Sequence, residues 1–205
     1  MSTLNQIDLG FTSERFPAGT HMCYIYNNEE ERREVISRYL GAGIANGELV
    51  GYFADVDELV DGYLEEMGVA VPDEARKNRL LLSRSKDTYC PDGRFVIDRT
   101  LEKLKEFHHT CLDRGLPASR VSGEMGWALQ PIEGREGLIE YEARVNILLQ
   151  DHPVTAICQY DTSRFDGATI FDVLSVHPMM VVYGQVVKNP YFIAPEVFLA
   201  KFADG

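Results

Sequence analysis

The chain has 205 residues, 45% of them hydrophobic and 25% charged, which fits one globular domain with a sizeable core. Its net charge of -12 comes from 20 Lys and Arg against 32 Asp and Glu, and because such a surface repels phosphate backbones we expect no direct nucleic-acid binding. No run approaches the roughly 18–20 apolar residues of a membrane helix, and the start, MSTLNQIDLGFTSERF, lacks the pattern of a signal peptide, so we expect a cytoplasmic protein without membrane contact.

Short β-rich runs alternate with longer helical runs along the first half of the chain. The apolar periodicity and the positions of Gly and acidic caps predict, in chain order, a strand at 21–26, a helix at 29–45, a strand at 49–54, a helix at 57–67 and a strand at 79–83.

The second half continues the alternation after a turn at 90–93 (CPDG). We predict a helix at 98–114, a strand at 120–125, a helix at 137–150, a strand at 154–160, a short helix containing 171–176, a hairpin or bent edge over 179–192 and a last helix at 195–202. Continuous apolar strands, each followed by a helix, indicate an α/β fold with a mostly parallel sheet covered on both faces.

The turn between the first predicted strand and its helix argues against a nucleotide site. It reads YNNEEE over 26–31, with no glycine, no lysine and three successive carboxylates. Carboxylates suit a helix N-terminus but repel a triphosphate there, so we expect no ATP. No G-x-G-x-x-G follows a strand, so we expect no NAD either.

His21 and Cys23 form an H-x-C pair whose side chains share one face of the first strand. Imidazole and thiolate are good ligands for transition metals, and the distant Cys158 and His177 are the candidates to complete a site. The alternative is that the cysteines are small buried hydrophobes and His21 is a hydrogen-bonded residue at the core edge. With Cys90 and Cys111, the cysteines form no C-x-x-C pair, which favours free thiols.

The segment SGEMGW over 122–127 places Glu124 at the end of a buried strand, where α/β folds hold ligands, with Trp127 as a candidate pocket wall. The alternative is that Glu124 pairs with a residue such as Arg144 and that Trp127 fills the core.

A third candidate group ends another apolar strand with Cys158, Tyr160 and Asp161, although Asp161 could equally cap the following turn. Glu142 and Arg144 are interpreted as surface charges, and His108 and His109 as a solvated helix face. His152 and His177 each precede a proline, so a turn position is the alternative to a ligand role for His177.

The order of these motifs resembles a known family. GTHMCYIY, GAGIANGELV, CPDGRF, SGEMGWAL, YEARVN, HPVTAICQYD and VHPMMVVYG occur in the order found in the methanogen/methylotroph sensory domain, known from regulators that respond to dichloromethane. The resemblance covers about 19–195, so that residues 1–18 are predicted to be an N-terminal extension and 19–205 a single sensory domain.

The resemblance implies a three-layer RecA-like sandwich that has lost its phosphate loop, with small hydrocarbon derivatives as ligands. It places ligand-binding roles on the H-x-C and C-x-Y-D motifs and on the acidic residue at the end of its strand, at the positions His21, Cys23, Glu124, Cys158, Tyr160 and Asp161.

The RecA-like strand order would place the first strand between the strand at 154–160 and the one after His177, which brings His21, Cys23, Cys158 and His177 together. A site there would lie off the carboxyl ends of the strands, where ligands of open α/β sheets usually bind and where Tyr26, Glu124 and Asp161 should lie.

The leading hypothesis is a non-catalytic sensory domain that binds a small molecule or a metal and signals through a protein partner such as a histidine kinase or a transcription regulator. The alternatives are a degenerate ATPase-fold interaction module and a metal-dependent enzyme with Glu124 as acid–base. Whether the chain forms a homo-oligomer is left open by the sequence.

Overall fold

A mostly parallel sheet of seven strands organises the computed structural model, which describes residues 6–203. In chain order the sheet strands are β3 (His21–Tyr26), β4 (Leu49–Ala54), β5 (Leu80–Arg84), β6 (Ser119–Glu124), β7 (Val154–Asp161), β8 (Met179–Val182) and β9 (Gln185–Lys188). Their order in the sheet is β5-β4-β6-β7-β3-β8-β9, and within it only β9 runs antiparallel to its neighbour.

Helices cover both faces of the sheet. They are α1 (Glu29–Ala45), α2 (Tyr63–Glu66), α3 (Asp73–Asn78), α4 (Ser85–Tyr89), α5 (Ile97–Asp113), α6 (Leu138–Asp151), α7 (Gly167–Val176) and α8 (Pro195–Ala203). One apolar core lies between α1 and the sheet, and a second lies between the sheet and the helices α5 and α6. The predicted three-layer α/β sandwich is therefore confirmed.

Helix α1 forms where its sequence pattern predicts it. The side chain of Asn28 caps the helix by accepting hydrogen bonds from the backbone N–H groups of Glu30 (2.9 Å) and Glu31 (3.1 Å). The predicted apolar stripe is the buried face: Val35, Ile36, Tyr39, Leu40 and Ile44.

The prediction of a helix over 57–67 is wrong, because only Tyr63–Glu66 is helical in that segment. Gly62 has φ 83°, a left-handed conformation that an α-helix cannot pass through. Helix α7 contains the predicted stretch 171–176, and the Asp166 side chain caps it at Gly167 by accepting a hydrogen bond from Thr169 N (2.7 Å).

A short N-terminal hairpin, which the sequence patterns did not predict, packs on the α1 side of the molecule. Its strands β1 (Gln6–Asp8) and β2 (Arg15–Pro17) are antiparallel, and Ile7, Leu9 and Phe16 belong to the core under α1. Within residues 6–203, no helix is both long and apolar enough to cross a membrane.

Candidate ligand and metal site

Four side chains of metal-ligating type meet in the interior at the sheet face that α6 covers. They are His21 on β3, Glu142 on α6, Cys158 on β7 and His177 directly after α7, and their ligand atoms all lie within 4.8 Å of one another. Glu142 Oε2 lies 3.3 Å from His21 Nε2, 3.5 Å from Cys158 Sγ and 3.6 Å from His177 Nε2. Cys158 Sγ is 3.6 Å from His21 Nε2. We call this group the buried cluster.

The strand order creates the buried cluster. Strand β3 lies between β7 and β8, with His21 opposite Ala156 and Cys23 opposite Cys158. His177 comes two residues before β8 begins at Met179. The cluster therefore sits near the amino end of β3, off the sheet edge where open α/β sheets usually hold ligands.

Three of the four residues predicted as metal ligands thus lie together, and Cys23 does not belong to the cluster. Its thiol is directed to the backbone oxygen of Met179 (3.8 Å). In its place stands Glu142, whose interpretation as a surface charge is wrong because its side chain is completely buried. Its position four residues after Leu138 and three before Val145 puts it on the buried face of α6, a helical spacing that could have revealed it.

Burial and the neighbouring side chains shift the pKa values of the groups in the buried cluster. Loss of solvation raises the pKa of the Cys158 thiol well above its usual value and lowers the pKa of the His21 imidazole. Burial also opposes ionisation of Glu142, but the adjacent His177 and His21 outweigh it and hold the pKa of this carboxyl below its usual range. Tyr160, also buried, donates a hydrogen bond of 2.5 Å to Glu142 Oε1.

A cavity of about 520 Å³ lies on the same side of the sheet and is mostly apolar. Its floor is formed by Val121, Gly123, Ala156 and Cys158, and its walls come from α4, α5 and α6. Cys158 therefore belongs to both the cavity and the buried cluster. The cavity opens near β5, where the lining residue Leu81 is 46% exposed.

Two buried tyrosines are among the polar residues that line this cavity. Tyr89 on α4 and Tyr141 on α6 are buried, their rings meet edge to face at 6.2 Å, and within residues 6–203 neither hydroxyl has a hydrogen-bond partner. Gly123 is required beneath Tyr89, because any side chain there would collide with the tyrosine hydroxyl. The cavity thus offers apolar surface with two hydroxyls that are free to bond a ligand.

The residues at the carboxyl edge of the sheet form a separate network around Arg32. Arg32 Nη1 donates to Glu124 Oε1 (3.1 Å) and Gln159 Oε1 (3.0 Å), and Tyr52 also donates to Glu124. The Tyr26 ring lies 5.6 Å from the Arg32 guanidinium carbon.

Glu124 does not pair with Arg144, contrary to one alternative drawn from the sequence. Arg144 instead bonds Asp98 (2.5 Å) on α5, which packs beside α6, and Glu140 (3.4 Å) one turn earlier on α6 itself.

The other candidate residues have local structural partners. Trp127 is fully buried and stacks on Tyr89 at 5.1 Å, which places it behind the cavity wall. Asp161 accepts hydrogen bonds from Ser163 N (2.8 Å) and Oγ (2.7 Å), the capped turn that the sequence allowed. His108 is buried, so its assignment to a solvated face is wrong; only the adjacent His109 is exposed.

The family model of the MEDS domain, the methanogen/methylotroph, DcmR sensory domain, matches residues 20–178, and the chain belongs to this family. It is 23% identical over 167 residues to the transcriptional repressor DcmR of Methylorubrum extorquens, an alignment that covers 77% of this chain and 57% of the repressor. The chain thus spans little more than half the length of this relative. Family and relative together indicate a sensory or regulatory role.

Two solved structures confirm the RecA-like fold expected from the sequence. A KaiC-like protein of Pyrococcus horikoshii has a TM-score of 0.59 at 13% identity, covering 86% of this chain and 79% of that protein. The flagellar accessory protein FlaH of Methanocaldococcus jannaschii has a TM-score of 0.62 at 11% identity, covering 94% and 90% of the two chains.

Proposed function

We propose that this chain is a non-catalytic sensory domain that binds a small, mainly apolar molecule in the cavity behind the sheet and relays its presence to a protein partner. The observation that carries the proposal is the cavity itself. Its volume of about 520 Å³ lies within the range of small-molecule sites, roughly 300–1,000 Å³. An apolar cavity of about 150 Å³ already accommodates benzene in another protein, so there is ample room for a hydrocarbon derivative.

The lining defines the ligand chemistry. Aliphatic and aromatic side chains such as Leu104, Phe107 and Val145 favour an apolar body through loss of water-exposed surface. The hydroxyls of Tyr89 and Tyr141 favour one polar group on that body, because each can donate a hydrogen bond that no described residue accepts.

The strand-to-helix turn supports a role without ATP. The carboxylate of Glu29 in this turn bonds Arg32 through Nε (2.7 Å) and Nη2 (2.5 Å), and Asn28 occupies the first backbone N–H groups of α1. A phosphate at this position would have to displace both the cap and the carboxylate.

The repressor relative supports the proposal of a protein partner, because its name joins this kind of domain to transcription regulation. Binding would favour the conformation of α4 and α5 that closes the cavity, and the partner would respond to the surface those helices present. A histidine kinase or a transcription regulator fits this role.

The test is calorimetric titration with toluene, hexanol and dichloromethane. We expect saturable binding of at least one of these probes, and we expect Leu104→Trp, which extends a lining side chain into the cavity, to weaken it more than ~10-fold. Leu112→Trp is the matched control, because Leu112 is on the same helix but 59% exposed, and it should bind as the unmodified chain does.

Equal binding by both variants would overturn the cavity as the ligand site. No binding of any probe by the folded, unmodified chain would favour the interaction module instead, in which the partner binds without a small molecule.

A further inference from the structure

We propose that His21, Glu142, Cys158 and His177 bind one divalent transition-metal ion of the zinc type. Two nitrogens, a sulfur and an oxygen form the mixed donor set that suits such ions. The proposal can be tested separately from the proposed function, since it concerns a different set of atoms, of which only those of Cys158 also line the cavity.

The spacing of the donor atoms fits a tetrahedral ion. With metal–nitrogen and metal–oxygen bonds of about 2.0 Å and a metal–sulfur bond of about 2.3 Å, ligand atoms of a tetrahedral ion lie roughly 3.3–3.5 Å apart. Four of the separations here are 3.3, 3.5, 3.6 and 3.6 Å, and the remaining pairs are within 4.8 Å.

Both imidazoles are oriented to ligate through Nε2. His177 Nδ1 lies 2.8 Å from the backbone oxygen of Val173, which can only accept, so Nδ1 carries the hydrogen. His21 Nδ1 lies 3.0 Å from Asn146 Oδ1. That amide is fixed because its nitrogen donates to the backbone oxygen of Val176 at 2.7 Å, so here too Nδ1 is the donor. Such hydrogen bonds to the second nitrogen accompany metal-bound histidines.

With Nδ1 as the donor, an imidazole in its neutral form directs the Nε2 lone pair at the carboxylate. His177 Nε2 is fully buried and has no hydrogen-bond partner among residues 6–203, although it lies 3.6 Å from Glu142 Oε2. A nitrogen lone pair that faces a carboxylate oxygen is repulsive, and either a proton or a metal ion between the two atoms removes the repulsion. The other carboxylate oxygen is already bound to the Tyr160 hydroxyl, which leaves Oε2 for the ion.

Cys158 supplies the thiolate ligand, and it also connects the cavity to the buried cluster. The ion replaces its thiol proton, which is released to solvent as the sulfur–metal bond forms. Cys158 is the least buried of the four ligands, with 8% of its surface exposed, and it lines the cavity that opens near β5. An ion can reach the cluster by that route.

The experiment uses the full chain stripped with a chelator and titrated with Co²⁺, a spectroscopic substitute for Zn²⁺. We expect one equivalent to bind, with visible absorption typical of a tetrahedral ion and a thiolate-to-cobalt charge-transfer band. Zn²⁺ should then displace Co²⁺ and abolish both signals. Failure of the folded, unmodified chain to bind one equivalent of either ion would overturn the proposal without reference to any variant.

The variants identify the thiolate. Cys158→Ser should lose the charge-transfer band and weaken Co²⁺ binding at least ~10-fold. Cys23→Ser is the matched control, because Cys23 is a buried thiol directly opposite Cys158 in the sheet but outside the cluster, and it should retain the band. A band that persists in Cys158→Ser and disappears in Cys23→Ser would refute the proposed ligand set.

Discussion

At the scale of single residues, Arg120 and Glu48 form a buried ion pair that is separate from the buried cluster. The guanidinium binds both carboxylate oxygens at 2.6 Å and also donates to the backbone oxygens of Tyr39 (2.7 Å) and Asp8 (2.9 Å). Arg120 thus connects β6, α1 and the N-terminal hairpin. It also explains Gly43 within α1, because a Cβ at that position would lie 2.6 Å from the arginine side chain.

Removing Arg120 should be severely destabilising. Arg120→Ala leaves Glu48 buried and uncompensated, so we expect the free energy of unfolding to fall by about 3–5 kcal/mol in urea denaturation. The control is Arg38→Ala, which breaks the solvent-exposed pair of Arg38 and Glu34 and should change stability by less than about 1 kcal/mol. Similar losses in the two variants would contradict this account of Arg120.

At the scale of elements, α5 and the end of α6 bring three histidines together. The ring of His108 lies 6.1 Å from that of His109 and 5.7 Å from that of His152. Burial, reinforced by His152 and His109, lowers the pKa of His108. A histidine whose pKa is lowered by folding stabilises the fold above the pKa of the unfolded chain, about 6.5, and this contribution is lost as the pH falls below it.

His108→Gln should therefore flatten the stability profile on the acid side. Urea unfolding at about pH 7.5 and about pH 5.5 should show a smaller loss of stability for this variant than for the unmodified chain. His109→Gln is the control, because His109 is exposed and the main cause of the shift at His108 is burial. A profile unchanged by His108→Gln would rule out this origin of acid sensitivity.

The helices and strands also show which parts of the fold the sequence patterns predict and which they do not. Apolar periodicity predicted α1, α5 and α6 and the central strands, because each helix buries one stripe and each central strand both faces. It failed at 57–67, where one left-handed glycine interrupts a helical pattern. Glu142 was misread because a charged residue on a helix usually faces water, whereas here the histidines of two other elements surround it.

At the scale of the whole molecule, the strand order brings distant parts of the chain to one place. That order came from the family resemblance, since no local pattern specifies which strand lies beside which. It placed β3 beside β7 and β8, and so brought His21 to Cys158 and His177. The cavity could not be predicted from the sequence, because it depends on how α4, α5 and α6 pack over the sheet.

The N-terminal hairpin belongs to the folding unit at this scale, although the family match begins at residue 20. Leu9 has no exposed surface and lies in the core under α1. Leu9→Ala should lower the free energy of unfolding by about 2–5 kcal/mol, measured by urea denaturation. Leu112→Ala, at an exposed position, should change it by less than about 0.5 kcal/mol, and equal effects would show that the hairpin contributes little.

Because Cys158 belongs both to the cavity floor and to the proposed ion site, we expect each occupant to alter the affinity for the other. Whatever the ion does to the affinity for the apolar molecule, the molecule must do to the affinity for the ion, by the same factor. Such a domain would respond to the combination of the metal ion and the organic compound. The concentration of the nutrient metal in the cell would then set the concentration at which the organic compound is detected.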